Sequence, residues 1–225
     1  VLLEDLKKRD GLRRMRLGRH EVSLHEDHRW VLALVAEAQR QGVLPRPTPV
    51  VLFDRHTDCA EPKRPLPNDT SVPGVLRLCD QHLSPHDDDW IVAGMEIGLL
   101  ADVFVFGVDD RMGDLPRAVG PHGVFGRWEM PGNLGDVGVN ARRLLEGQGP
   151  ILLDLDLDCF AYPYRGAVWP WTEAMFRQHF VPRPPLWQSL LERARLITIC
   201  REEGCCGGPA HADAILELCG KFLFQ

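Results

Sequence analysis

Two almost wholly apolar runs in this chain end in acid. Val50-Val51-Leu52-Phe53 leads directly into Asp54-Arg55-His56-Thr57-Asp58-Cys59, and Pro150-Ile151-Leu152-Leu153 leads into Asp154-Leu155-Asp156-Leu157-Asp158. Short runs of roughly four to eight apolar residues rich in Val, Ile and Leu read as strands buried on both faces, which belong to parallel sheets covered by helices. Side chains two apart share one face of an extended backbone. Asp54, His56 and Asp58 can therefore all point one way, as can Asp154, Asp156 and Asp158. Carboxylates gathered at two strand ends repel one another and are costly to bury without a partner. A divalent cation is the simplest partner, and it requires a fold that brings the two strand ends together.

The rest of the chain alternates in the same manner. Strand-like runs fall at about 48–56, 102–109, 149–158 and 195–201, with a shorter one at 21–24, and helical patterns run from His28 to Gln41, Asp89 to Leu100, Trp187 to Arg195 and Ala210 to Phe222. This predicts an α/β fold of three layers, with a mostly parallel central sheet between helices, and a ligand site outside the carboxyl ends of the strands. A length of 225 residues suits one domain, 1–225. The glycine-rich segment from Gly113 to Gly138 reads as a surface excursion. Ala161 to Trp171, carrying Tyr162, Tyr164, Trp169 and Trp171, reads as an aromatic loop that either walls a substrate site or caps the sheet.

Composition narrows the function. The net charge is −6, and the one basic cluster, Lys7 to Arg16, reads as a solvated helix face or a salt-bridged surface arm rather than a nucleic-acid footprint. No apolar run approaches the roughly 20 residues that span a bilayer, and no signal-peptide pattern opens the chain, so the expectation is a cytoplasmic protein with neither nucleic acid nor membrane as partner. The seven cysteines show no CxxC spacing. Cys59, Cys159, Cys200 and Cys219 read as free thiols in a reducing compartment, and Cys205-Cys206, in a glycine-rich loop, as packed small residues.

A third chemistry-bearing segment is His25-Glu26-Asp27-His28, where the short strand meets the first helix and His28 can point back into the crevice. Carboxylates and imidazoles in this mixture suit Mn²⁺, and also Zn²⁺ or Fe²⁺; without thiolate pairs a structural zinc is disfavoured. Glu202 and Glu203 close the strand 195–201. Alternation puts only one of them toward the crevice, unless both form an exposed acidic pair. Glu96 either reaches the crevice from its helix or faces water, and His82 and His86 are loop histidines that either shuttle protons or are merely exposed.

Asp54-Arg55-His56-Thr57-Asp58 resembles the Asp-Ala-His-x-Asp motif of the arginase and agmatinase ureohydrolases. Asp154-Leu155-Asp156-Leu157-Asp158 resembles their Ser-x-Asp-x-Asp motif, and Glu26-Asp27-His28 their Gly-Asp-His. Order and spacing agree across 26–158. The family's Gly-Asn-x-His-Gly segment, which grips free arginine, is absent, and the variants present look more like the peptide-arginase branch, which converts arginine in ribosomally made peptides to ornithine and urea. The resemblance implies an arginase-like fold and two Mn²⁺ ions per chain. It implies Asp54 and Asp156 as bridging ligands, His28 and Asp58 completing one ion, and His56 and Asp158 the other; if the second motif slides by two, Asp154 replaces Asp158. A metal-bridging hydroxide would attack the guanidinium carbon, Asp58 would orient it and pass its proton to the leaving amine, and Glu202 or Glu203 would hold the substrate. The expected partner is an arginine-containing precursor peptide; a homo-oligomer is also open. Two other readings compete: a single-zinc deacetylase or amide hydrolase of the same fold, and a non-catalytic, metal-stabilised peptide-binding module.

Overall fold

The structure, a computed structural model, describes residues 4, 6–8, 11–84, 86, 88–107, 118–127 and 139–225, of which Asn140 is described by its backbone alone. Its centre is an eight-stranded sheet formed by β1 (Arg13–Leu17), β2 (His20–His25), β3 (Thr48–Phe53), β4 (Leu100–Phe106), β5 (Ala118–Val119), β6 (His122–Arg127), β7 (Ile151–Asp156) and β10 (Ala194–Cys200). The spatial order is β1-β2-β10-β7-β3-β4-β6-β5, and β8 (Ala161–Tyr164) and β9 (Ala167–Pro170) form a separate hairpin. All neighbours in the large sheet are parallel except the two edge pairs, β1 with β2 and β5 with β6.

Helices cover both faces, as period-two alternation in wholly apolar strands requires. On one face Val50, Leu52, Val103, Val105 and Leu152 pack under α1 (Val31–Arg40), α2 (Val72–Gln81) and α3 (Trp90–Glu96). On the other, Val51, Phe53, Phe104, Phe106, Leu153 and Leu155 pack under α4 (Val139–Glu146), α5 (Glu173–Phe180), α6 (Pro185–Arg193) and α7 (Pro209–Phe222). Each such buried side chain contributes about 1.5–3 kcal/mol relative to exposure. The expected three-layer α/β architecture is the one observed.

Several local expectations are corrected. The helix expected to reach Leu100 stops at Glu96 because Gly98 takes φ +69°, a left-handed turn that frees Leu100 to begin β4. The excursion 113–138 contains β5 and β6, with β6 extending the parallel sheet; 113–117 and 128–138 lie outside the described residues. Of the two readings of the basic cluster, the salt-bridged arm is the one seen in its second half, the edge strand β1, where Arg14 pairs with Glu21 at 3.0 Å. The segment 161–171 is largely the β8–β9 hairpin, and α2, α4 and α5 were not anticipated.

Chain order places the site. From β3 the chain moves outward to β4 and β6, then returns to β7 on the other side of β3 and proceeds to β10. The connections after β3 and β7 therefore diverge, opening a crevice above the adjacent carboxyl ends of these two strands. Register aligns their tips: Phe53 pairs with Leu155, and Cys200 pairs with both Asp156 and His25.

Candidate metal centre

At the tip of β3 the strand stops at Phe53, not at residue 56. Asp54 N–H still donates to Phe106 O at 2.8 Å, and then the chain bends: Asp54 Oδ1 accepts from His56 N–H at 2.6 Å, and Asp58 takes φ +49°. The convergence of Asp54, His56 and Asp58 thus comes from a tight turn rather than from strand parity. At the tip of β7 the strand runs through Asp156, whose Oδ1 accepts from Asp158 N–H at 2.8 Å and starts the 3₁₀ turn Leu157–Phe160. Asp158 is carried over the tip by that turn.

His28 begins a second 3₁₀ turn at the end of β2 and reaches the crevice from the α1 side of the sheet. Its Nδ1 lies 3.0 Å from Asp58 Oδ2, 3.5 Å from Asp156 Oδ2 and 3.7 Å from Asp54 Oδ2. The other nitrogen, Nε2, faces Asp154 Oδ2 at 2.9 Å, and Asp154 Oδ1 accepts from Thr198 Oγ1 at 2.6 Å. Asp154 therefore stands behind the imidazole. Two residues deeper in β7, it orients and electrostatically supports the ring while leaving Nδ1 toward the cluster, the arrangement common behind metal-binding histidines. Trp90 closes this end: its ring lies 5.4 Å from His28, and its Nε1–H donates to Asp58 Oδ2 at 2.6 Å.

The donor atoms form two overlapping groups. His28, Asp54 and Asp58 present ligand atoms within 4.8 Å of one another, and so do Asp54, Asp156 and Asp158. On the cleft side, His56 Nδ1 lies 3.0 Å from Asp158 Oδ2, and His56, Asp158 and Cys205 form another such group. Asp54, Asp156 and Asp158 are fully buried, and the Oδ2 atoms of Asp54 and Asp156 accept no hydrogen bond.

The electrostatics show what a cluster of this composition demands. Burial, reinforced by Asp58 and Asp158, holds the Asp54 carboxyl well above the usual range; burial, with Asp158, Glu202 and Asp54, does the same to Asp156. Burial also opposes ionisation of Asp154 and His28, yet their mutual attraction wins, lowering Asp154 and raising His28. His56 is raised chiefly by its bond to Asp158. A protein-only cluster of this kind must take up protons to be buried. A divalent cation removes that need, so buried all-oxygen corners with an imidazole fit such an ion.

Glu202 and Glu203 part company. Glu202 takes φ +32° in the turn after β10, and its carboxylate joins His28, Asp156 and Cys200 within 4.8 Å. Glu203 instead pairs with Arg201 at 2.9 Å, although both glutamates line the cleft. Three described non-glycine residues have positive φ, and two of them are Asp58 and Glu202. That conformation costs roughly 1–2 kcal/mol per residue, a cost characteristically stored at functional sites.

Glu96 does not join the site. It is exposed at the end of α3 and lines a different cleft with Lys63 and Arg64, because the helix turns its buried face to β4 and leaves Glu96 on the solvent side. His86 lines the cleft mouth, whereas His82 bonds Pro65 O at 2.9 Å. Among the described residues the cleft lining includes no aromatic from 161–171; Trp171 packs on Phe160 and Phe176, while Trp169 stacks on His211.

Sequence reasoning missed three contributors. Arg55 reaches Asp158 Oδ2 at 3.3 Å. Arg201 ties Glu26 and Asp213, each at 2.7 Å, beneath the Glu202 turn. Cys205 faces the cluster, and only its closeness to the strand-ending glutamates could have signalled it.

No protein-family model matches the chain, and no curated protein matches it. Among solved structures, proclavaminate amidino hydrolase from Streptomyces clavuligerus superposes with a TM-score of 0.52 at 20% identity, over 89% of this chain and 61% of that one. The chain thus spans less than two thirds of that protein's length, and what the two share is the fold, an arginase-like layered α/β sheet.

Proposed function

We propose that this chain is a metal-dependent amidinohydrolase that converts arginine side chains within a peptide to ornithine, releasing urea. The observation that carries the reading is the set of buried carboxylates, with oxygens that accept no hydrogen bond, gathered with His28 and His56 where β3 and β7 diverge. The solved structure of like fold is itself named an amidino hydrolase. His28, Asp54, Asp58 and Asp156 would hold one cation, and Asp54, Asp156, His56 and Asp158 a second. The second motif keeps the register in which Asp158 is a ligand, since Asp154 is engaged behind His28. Bound divalent cations supply a nucleophilic water at neutral pH, with Mn²⁺ the proposed ion.

The protein's own groups do the remainder. Glu202 accepts hydrogen bonds from the guanidinium and holds its planar head over the cluster, a charge-assisted fork that suits arginine. Asp58, fixed by Trp90, receives the proton of the attacking water and returns it to the departing Nε of the arginine as its bond to the guanidinium carbon breaks. The cleft, about 1130 Å³, exceeds the roughly 300–1,000 Å³ usual for small ligands, which leaves room for main chain on both sides of an arginine.

The test is incubation of Mn²⁺-loaded protein with an arginine-containing peptide. Urea release and a loss of about 42 Da per arginine are expected. A deacetylase or a binding module gives neither. An internal arginine should also be processed with far higher kcat/KM than free arginine, and equal values would remove the peptide specificity while leaving the amidinohydrolase reading standing.

A further inference from the structure

We propose that Cys205 supplies a sulfur donor to the cation on the cleft side of the cluster, beside His56 and Asp158. This inference rests on the two-cation reading above and adds a ligand that the sequence resemblance does not imply.

The argument begins with the turn after β10. Cys205 N–H donates to Glu202 O at 2.9 Å, and Gly207 and Gly208, with φ of +87° and +112°, let the chain double back over the crevice instead of entering α7 directly. The turn presents Cys205, half-buried, to the cleft, while its neighbour Cys206 turns inward, its thiol directed at Arg201 O at 3.2 Å. The Cys205 sulfur, a His56 nitrogen and an Asp158 oxygen all lie within 4.8 Å of one another, a spacing that a single ion can bridge. Asp158 contributes a fully buried Oδ2 that lies 3.0 Å from His56 Nδ1.

The two halves of the cluster then differ in donor chemistry. The inner half offers carboxylate oxygens and the His28 imidazole. On the cleft side Arg55 lies 3.3 Å from Asp158 Oδ2, and the thiol adds a donor there. A thiolate beside the His56 imidazole and the Asp54, Asp156 and Asp158 carboxylates extends the ions this position accepts from Mn²⁺ to the softer Zn²⁺, Fe²⁺ and Co²⁺. Coordination deprotonates the thiol, and the proton leaves to solvent.

Cobalt makes the test direct. Wild-type protein titrated with Co²⁺ should bind two ions and develop a thiolate-to-cobalt charge-transfer band in the near ultraviolet. Cys205→Ser should lose the band and weaken one of the two ions by about tenfold or more, whereas Cys200→Ser should keep the band. A second measurement needs no variant: saturating Co²⁺ should protect Cys205 of the wild-type protein from alkylation, read by peptide mass spectrometry. Two bound cobalt ions without the band, a band that survives Cys205→Ser, or unchanged alkylation would overturn the assignment while leaving the two-ion reading in place. Failure to bind two ions would overturn both.

Discussion

The tips of β3 and β7 carry the same spacing, an acid followed by a ligand type two and four residues on, yet they use it differently. At β3 the strand ends before the motif, so Asp54, His56 and Asp58 all reach the cluster through a turn. At β7 the strand continues to Asp156, and Asp154 stays within the sheet against Thr198 and the far side of His28. Where a strand stops relative to its motif therefore decides which carboxylates can be ligands and which must support them.

The largest losses are expected at the centre that both strand tips share. Asp54→Ala and Asp156→Ala should each abolish urea release and bound metal, a loss larger than the roughly 10–100-fold typical of residues behind a ligand. Atomic absorption showing full occupancy in either variant would refute the site. Within β7 the order should be graded. Asp158→Asn is expected to lose the cleft-side ion, while Asp154→Asn, which only weakens support for His28, should cost about 10–100-fold in metal affinity. The reverse order would return Asp154 to the ligand set.

The β10 turn offers a smaller contrast. Glu202→Gln should keep its metal but raise KM and lower kcat, because the guanidinium loses its anionic hold. Glu203→Gln, removing a partly exposed ion pair with Arg201, should change stability by about 0–1 kcal/mol and kinetics hardly at all. Glu96→Gln should be silent, and equal kinetic losses in all three would place the clamp elsewhere.

The mildest effect is on the stability of the metal-free protein. Asp54 and Asp156 have folded values raised by burial, so the folded state binds more protons, and their ionisation costs stability as pH rises above the ordinary carboxylate range. His28 adds to this: its raised value stabilises below the ordinary histidine range and is lost as pH rises through the folded value. Asp154, held low by His28, works oppositely, and its contribution is lost as pH falls. The melting temperature of metal-free protein should therefore fall from mildly acidic to alkaline pH, less steeply in Asp54→Asn, and metal should flatten the slope. A Tm that rises across this range would contradict the burial.

Much of this was legible in the chain itself. Apolar runs with no polar alternation identify buried parallel strands, because both faces must be covered, and β3, β4, β7 and β10 fall where that pattern places them. β6 escaped because His122-Gly123-Val124-Phe125-Gly126-Arg127 carries too few apolar residues to outweigh its glycines. The aromatic segment 161–171 could be located but not oriented, since whether it walls a cleft or forms a separate hairpin depends on partners distant in sequence.

Residue types and spacing determined by themselves that carboxylates and imidazoles would gather at strand ends and require a counter-charge, because both are local properties of the chain. Which groups take which part was decided by tertiary structure. The order of strands set β7 beside β3, Thr198 and His28 claimed Asp154, Arg201 drew Glu203 aside, and the turn after β10 brought Cys205 to His56 and Asp158. Apart from the local Arg201–Glu203 pair, those pairings join residues from elements far apart in sequence, and their few ångströms of separation exist only once the sheet has formed.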